Sequence, residues 1–573
     1  MTREDREKII SNDFADVLIT YSGDRSALDR YQSNVINFID YYNAVVHIPV
    51  TEINDQIIRE KGYSVMPSLF GLCSQESLEA SGIFRIRNVP NFDLRGQGVL
   101  IGILDTGIDY TNPIFQYADQ TTKIVSIWDQ TIFSDNYPEN YSFGTEYTRE
   151  EINEALRSEH PREMVPTTDE IGHGTMLAGI AAGNDIPNSG FYGVAPDAEL
   201  VVVKLKQAKN YLRDFFIVPR DVPCYQENDI LFAINYLSIV ANRLNRPIAI
   251  CVALGTSQGP HDGKGTLSSA LSMKADNIGV GVVVAGGNEG SARRHYSGKV
   301  DPVVGYDLVE LQVGANDPGF FLEFWGASPD IYSIDIQTPS GEYIPKMVPV
   351  LDEHRFLNFI FEPTTINIDF QISESQSGEQ LILMRFRKPS QGVWRFKVYY
   401  NGDMEGAFNM WLPMEGFISN NTFFIRSDPY VTLLSLANAR TPISVTAYNT
   451  RDESLYASAS RGFTLAGMIK PEIAAPGVNV TAPGKNNTFI EVTATSAAAA
   501  HTTGVAAMML EWGIVKGNQT YLSTTDMKVF MIRGARRSTN MRYPNRDWGY
   551  GILDVYNIFD SLRMSITSLN NER

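Results

Sequence analysis

The sequence predicts an α/β protein. A parallel sheet has helices on both faces, a small α+β unit precedes it, and an antiparallel β-sandwich is inserted into it. Three observations carry this reading. Gly98–Leu104, Leu200–Val203, Ile248–Leu254 and Ile278–Ala285 are continuous apolar runs, with helical stretches between them around Thr175–Ala182 and Asp229–Leu244. Strands apolar on both faces that alternate with helices belong to a sheet covered on both sides. Between about 295 and 430 the period changes to two. Ile366, Ile368, Phe370 and Ile372 alternate with Asn367, Asp369 and Gln371, and Trp394, Phe396, Val398 and Tyr400 alternate with Arg395, Lys397 and Tyr399. That alternation, broken by Gly, Pro, Ser and Asp turns, belongs to an antiparallel sandwich. The helix and strand rhythm then resumes near Pro442–Ala447 and Ala494–Trp512, so the sandwich interrupts the α/β domain.

In chain order, Asp16–Tyr21 and Ala44–Pro49 read as strands, and Thr51–Lys61 as a helix with Ile53, Ile57 and Ile58 at helical spacing. The expected organisation is a first unit over 1–64, an α/β domain in two pieces over 65–294 and 431–573, and the sandwich over 295–430. A chain of 573 residues suits two to four domains. At 43% apolar and 20% charged it buries large cores, which excludes a wholly disordered chain. A net charge of −18 excludes the basic footprint of a nucleic-acid binder. No apolar stretch of a secretory signal follows Met1–Arg6, which reads as no signal peptide and synthesis in the cytoplasm. The longest apolar run, Ile278–Gly287, is half of the roughly 20 residues a membrane span needs. Cys73, Cys224 and Cys251 are scattered and odd in number, which fits a reducing compartment without a disulfide framework or a structural zinc site.

Four local patterns carry chemistry. Asp105-Thr106-Gly107 ends an apolar strand, at the sheet edge where α/β folds build sites. His173 stands between Gly172 and Gly174 at the head of a small-residue helix, as none of the other histidines does. Asn288 follows Gly286-Gly287 after the strand Val282–Ala285, where its side-chain amide can donate into a cleft. Ser496 precedes an almost wholly small-residue helix, whose N-terminal dipole and N–H groups point at whatever the serine binds. Each has a plainer reading alone: a turn-capping Asp, a half-buried His, an Asn chosen for its turn, a serine N-cap. Together they form an Asp…His…Ser series. Ser attacks a carbonyl, His takes its proton, Asp holds the imidazole, and an amide with a backbone N–H receives the oxyanion.

The order and the surrounding phrases resemble the subtilisin-like serine proteases. The resemblance rests on ILDTGIDYTNP (103–113), GHGTMLAGIAAG (172–183), YGVAPDAEL (192–200), VVVAGGNEG (282–290), ATSAAAAHTTGVAA (494–507), KPEIAAPG (470–477) and WGYGILD (548–554). It covers about 65–294 and 431–560. It implies catalytic Asp105, His173 and Ser496, an oxyanion donor in Asn288, and Leu254-Gly255-Thr256 as the strand on which an extended peptide pairs. It implies no cofactor and no required metal. Ala494 and Ala500 stand where the family usually has Gly and Pro. Ala500 is a small change, whereas the methyl of Ala494 is expected to crowd the oxyanion site.

Within the family, LRGQGVLIGILDTGIDY (94–110) and KIVSIWDQT (123–131) are most similar to the Csp germination proteases of spore-forming bacteria. That subgroup implies a prodomain, a jelly-roll-like insert after the oxyanion Asn, association with the spore, and a protein substrate, the zymogen of a cortex-lytic hydrolase. It also implies self-processing, with the scissile bond expected within about Gly62–Pro67 and Phe70-Gly71-Leu72 as the first family-like residues beyond it. The competing readings are a catalytically silent pseudoprotease acting in germinant signalling, and a binding protein that works through its sandwich.

Overall fold

The computed structural model describes residues 1–54, 56–72, 93–315 and 317–562. Its central sheet has eight strands in the order Ile473–Val478, Ile443–Asn449, Val280–Ala285, Ile248–Val252, Leu100–Asp105, Glu199–Lys204, Ile124–Asp129 and Thr145–Thr148. All neighbours are parallel except Thr145–Thr148, which closes one edge antiparallel. The continuous apolar runs are explained by the two faces. Leu100, Leu104, Val201, Val203, Ile250 and Val282 point into one core with the helices Glu227–Leu244 and Thr266–Ala275. Ile101, Ile103, Val202, Ala249, Cys251 and Val283 point into the other, with His173–Ala182 and Thr495–Leu510. Successive side chains of a strand face opposite ways, so a strand covered on both sides has no polar position. Cys224 and Cys251 are buried thiols, pushed up to about 12 by burial; Cys73 lies outside the described residues.

The first unit is a three-stranded antiparallel sheet, Phe14–Thr20, Asn43–Pro49 and Val35–Phe38, behind the helix Arg3–Ile10. The expected helix over Thr51–Lys61 is shorter: a 3₁₀ turn at Val50–Glu52, an extended Ile53, and a helix only over Ile57–Lys61. This unit docks on the α/β domain through Asp16, which is wholly buried. Its carboxylate meets Lys209 Nζ at 2.6 Å, His47 Nδ1 at 2.8 Å, Gln226 Nε2 at 2.5 Å and Asn228 Nδ2 at 3.2 Å. Burial alone would raise its pKa; the Lys209 ammonium and His47 outweigh that and hold it well below the ordinary carboxylate range.

The insert is two antiparallel sheets, one of six strands and one of five, spanning His295–Lys299 to Phe423–Phe424. Ile366, Ile368, Phe370, Trp394, Phe396 and Val398 lie in a core made of insert residues. Its last long strand, Ala407–Trp411, returns to the α/β domain, where the Trp411 ring stacks between His261 (4.1 Å between centroids) and His295 (4.7 Å).

Removing one partner from a buried ion pair strands the other. Lys209→Ala is expected to destabilise the docked first unit by about 3 kcal/mol or more, read as a lower urea midpoint. Lys8→Ala, which removes partly exposed intrahelical pairs with Glu4 and Asp5 and an approach to the Phe14 ring, is expected to change it by less than about 1 kcal/mol.

Candidate active site

Asp105 is the last residue of its strand and is fully buried. Its Oδ1 accepts from Thr106 N at 2.7 Å and lies 2.8 Å from His173 Nδ1. His173 opens its helix behind Gly172, which takes a left-handed φ of +90°. Gly174 is required next: a Cβ there would stand 2.2 Å from the carbonyl oxygen of Gly107, so the Asp105 turn and the His173 helix meet backbone to backbone. The contact is completed by Asp169, a residue the sequence reading missed. Asp169 accepts from Gly172 N (2.7 Å), Thr175 N (2.8 Å), Thr175 Oγ1 (2.7 Å) and Thr106 Oγ1 (2.7 Å), while Thr106 Oγ1 also accepts from Gly174 N at 2.9 Å. One carboxylate thus caps the histidine's helix and ties it to the residue after Asp105. A legible signal was present: an acid a few residues ahead of a helix start is an N-terminal capping pattern.

Ser496 is the second residue of Thr495–Leu510, inside the first turn; Ala494 holds the N-cap position. The plain N-cap reading of Ser496 is therefore set aside. Its Oγ is buried and has no hydrogen-bond partner among the described residues. The helix packs directly on the His173 helix. Ala494 sits at φ −179°, extended backbone open to any residue, so its methyl imposes no backbone strain. Asn288 is joined to the same helix: its Oδ1 accepts from Thr495 N at 3.3 Å and Thr495 Oγ1 at 3.1 Å, and Thr495 Oγ1 accepts from Gly287 N at 3.1 Å. His501, further along the serine helix, is pushed down to about 3 by burial and stays neutral. Among the described residues no group of three or more His, Cys, Asp or Glu is placed to hold a metal ion, and no helix is long and apolar enough to cross a membrane.

Leu254 and Gly255 pair antiparallel with Leu72 and Gly71, and Leu69 and Phe70 pair with Gln226 and Tyr225 on the other side. Thr256 falls outside this ladder; its carbonyl accepts from Ser435 N and its hydroxyl from Gln258 N. The chain's own segment Leu69–Leu72 therefore lies on the expected peptide-pairing strand. The segment 62–67 does not: Tyr63–Val65 forms a 3₁₀ turn, too tight to join a ladder. Side chains hold the approach. Gln258 Oε1 accepts from Leu69 N at 2.8 Å, and Glu227 Oε2 from Ser68 N at 3.2 Å. Tyr63 donates to Glu323 of the insert at 2.5 Å, and Glu323 also accepts from Gly259 N at 2.9 Å and Trp325 Nε1 at 3.0 Å. Burial pushes the Glu323 carboxyl up to about 7.

The model of the subtilase family matches residues 96–308 and 427–551, more than half of the chain. The chain belongs to the subtilase family. The unmatched interval between the two stretches holds most of the two-sheet insert. A subtilisin of Bacillus sp. strain TA39 is 29% identical over 195 residues, 34% of this chain and 35% of that protein. The subtilisin-like protease SBT1.9 of Arabidopsis thaliana is 28% identical over 208 residues, 34% of this chain and 26% of that protein. The alignments thus span about a quarter to a third of those relatives. The solved structure of the Clostridium perfringens CspB protease superposes with a TM-score of 0.75 at 28% identity, covering 84% of this subtilase and 96% of that chain.

Two outcomes follow from this geometry. Asp169→Ala removes the helix cap and is expected to cost about 1–2 kcal/mol, seen as a lower thermal midpoint. Glu323 binds its proton more tightly folded, about 7, than at the ordinary value of 4.5. Its contribution is therefore present below 4.5 and is lost as pH rises through 7. Between those limits the wild-type thermal midpoint is expected to fall more steeply with pH than that of Glu323→Gln.

Proposed function

We propose that this subtilase is a serine endopeptidase in which Asp105, His173 and Ser496 form the triad and Asn288 with the Ser496 N–H forms the oxyanion site. The observation that carries the proposal is the buried Asp105–His173 contact at 2.8 Å beside a helix that presents Ser496 Oγ without a competing partner among the described residues. Asp105 keeps the imidazole proton on Nδ1, which makes Nε2 the basic nitrogen. His173 Nε2 takes the Ser496 proton as Oγ bonds to the scissile carbonyl carbon. The carbonyl oxygen becomes an oxyanion, received by Asn288 Nδ2 and by the first-turn N–H of the serine helix. Thr495 fixes the amide oxygen of Asn288, so the donor end of the amide is Nδ2. Collapse of the adduct releases the amine with the proton from His173, and water repeats the sequence in reverse to free the acid.

The first substrate is the chain itself. Leu69–Leu72 lies on Leu254-Gly255 as an extended strand, with Leu72 paired to Leu254, the residue nearer the sheet end that carries Asp105 and Asn288. The first unit, expected over residues 1–64, then acts as a prodomain whose tail reaches Leu72, with the scissile bond just after it, in residues outside the described ones. The later protein substrate is inferred to be the zymogen of a cortex-lytic hydrolase in germinating spores. The likeness to the CspB protease and the phrases at 94–110 and 123–131 support that inference.

Ser496→Ala is expected to remain full length and to lose labelling by a fluorophosphonate, while the wild type is labelled and yields a fragment whose N-terminus lies shortly after Leu72. Full-length, unlabelled wild type would favour the silent-signalling reading. Asn288→Ala is expected to lower kcat by about 10²–10³ with KM little changed, a magnitude carried over from subtilisins.

A further inference from the structure

The strand Leu69–Leu72 is covered on both faces. Phe70 points into the core beneath the cleft, with Leu254, Ile230 and Ala233. Leu69 points the other way, into the second large core, to which Met414 and Phe417 also belong. Gly71, two residues on, shares the Leu69 face. A Cβ at Gly71 would stand 3.1 Å from both Sδ and Cε of Met414 and 3.4 Å from the Phe417 ring. Met414 and Phe417 are themselves buried, and they close a turn in which Phe417 N donates to Met414 O at 3.1 Å.

This roof comes from the insert's return segment, outside the stretches that match the family, and it is anchored at both ends. Ser257 Oγ donates to Leu412 O at 2.8 Å, two residues beyond Gly255. Glu415 N donates to Glu289 Oε1 at 3.0 Å, on the residue after Asn288, and Glu289 is held by Arg294 at 2.9 Å. The backbone of Gly71 is not in the left-handed region, so a side chain there meets no conformational penalty. What excludes it is the roof. A methyl asks the flexible end of Met414 to yield by a few tenths of an ångström. A branched side chain requires Met414 and Phe417 to leave a packed, anchored position, and overpacking of that kind is costly.

We propose that Met414 and Phe417 are specificity-determining residues, and that the roof restricts cleavage to polypeptide substrates carrying glycine, or at most alanine, at the position that pairs with Gly255. The proposal rests on the peptidase reading above and names the substrate class of that site.

The test is self-processing of the full chain, followed by time course on denaturing gels. Gly71→Ala is expected to process within about threefold of wild type, and Gly71→Leu about tenfold or more slowly. Adding Met414→Ala to Gly71→Leu is expected to restore most of the lost rate. A merely destabilising second substitution would not accelerate anything, so rescue separates the roof from general damage. The same variants on a Ser496→Ala background report folding by thermal midpoint. Wild-type speed in Gly71→Leu overturns the proposal, and so does a slow, folded Gly71→Leu that Met414→Ala leaves slow. Wild type that neither processes nor takes a fluorophosphonate on Ser496 overturns the peptidase reading itself, and the proposal with it; a labelled Ser496 confines the failure to the roof.

Discussion

A carboxylate with no exposure to water needs donors, and one oxygen of Asp105, Oδ1, finds them in Thr106 N and the His173 ring. That requirement reaches well beyond the pair. To bring an imidazole to the end of the Leu100–Asp105 strand, the His173 helix has to start against the Asp105 turn, and only a glycine at 174 lets the backbones meet. The helix N–H groups so exposed then need an acceptor, which Asp169 supplies while also gripping Thr106. The serine helix, rich in small residues, packs against the histidine helix. Its first residue, Thr495, carries Asn288 with it. The contacts around one buried carboxylate oxygen thus link the Asp105 turn to the histidine and serine helices.

The insert bears on the cleft rather than standing apart from it. Trp411 is held between His261 and His295, Leu412 O receives Ser257, and Glu415 N joins the insert to Glu289, the residue after Asn288. His261 is pushed down to about 4 by burial, so the stack joins neutral rings through most of the physiological range. Glu323 reaches from the same insert to Gly259 and Tyr63, so the approach to the cleft and its roof are both made from residues far from it in sequence.

The first unit is secured twice, by chemistry of different kinds. Asp16, His47 and Lys209 form a buried ionic contact whose strength depends on every partner being present. Leu69–Leu72 is held by a ladder, in which backbone groups pair without regard to side chain. The first fixes which unit docks, and the second holds Leu69–Leu72 between Leu254-Gly255 and Tyr225-Gln226.

Much of this was readable from residues alone, because it depends on local pattern. Apolar runs of strand length identify a doubly covered sheet, the two-residue alternation from Ile366 to Ile372 and Trp394 to Tyr400 identifies a sandwich, and the phrases around Asp105, His173, Asn288 and Ser496 identify a subtilase. The helix over Thr51–Lys61 was read too long because three isoleucines at helical spacing do not outweigh an extended Ile53. Asp169 is legible only as a local cap of residues 172–175; its bond to Thr106 joins a position 63 residues away. The scissile bond is expected within about Gly62–Pro67, where the fold has a 3₁₀ turn at Tyr63–Val65, while it lays Leu69–Leu72 on Leu254-Gly255; nothing local distinguishes one short apolar stretch from another. Only the fold decides that Leu69–Leu72 reaches Gly255 and that Met414 and Phe417 close over Gly71. Those contacts join positions more than 150 and more than 300 residues apart, and packing between distant segments is a property of the folded chain that no local sequence window contains.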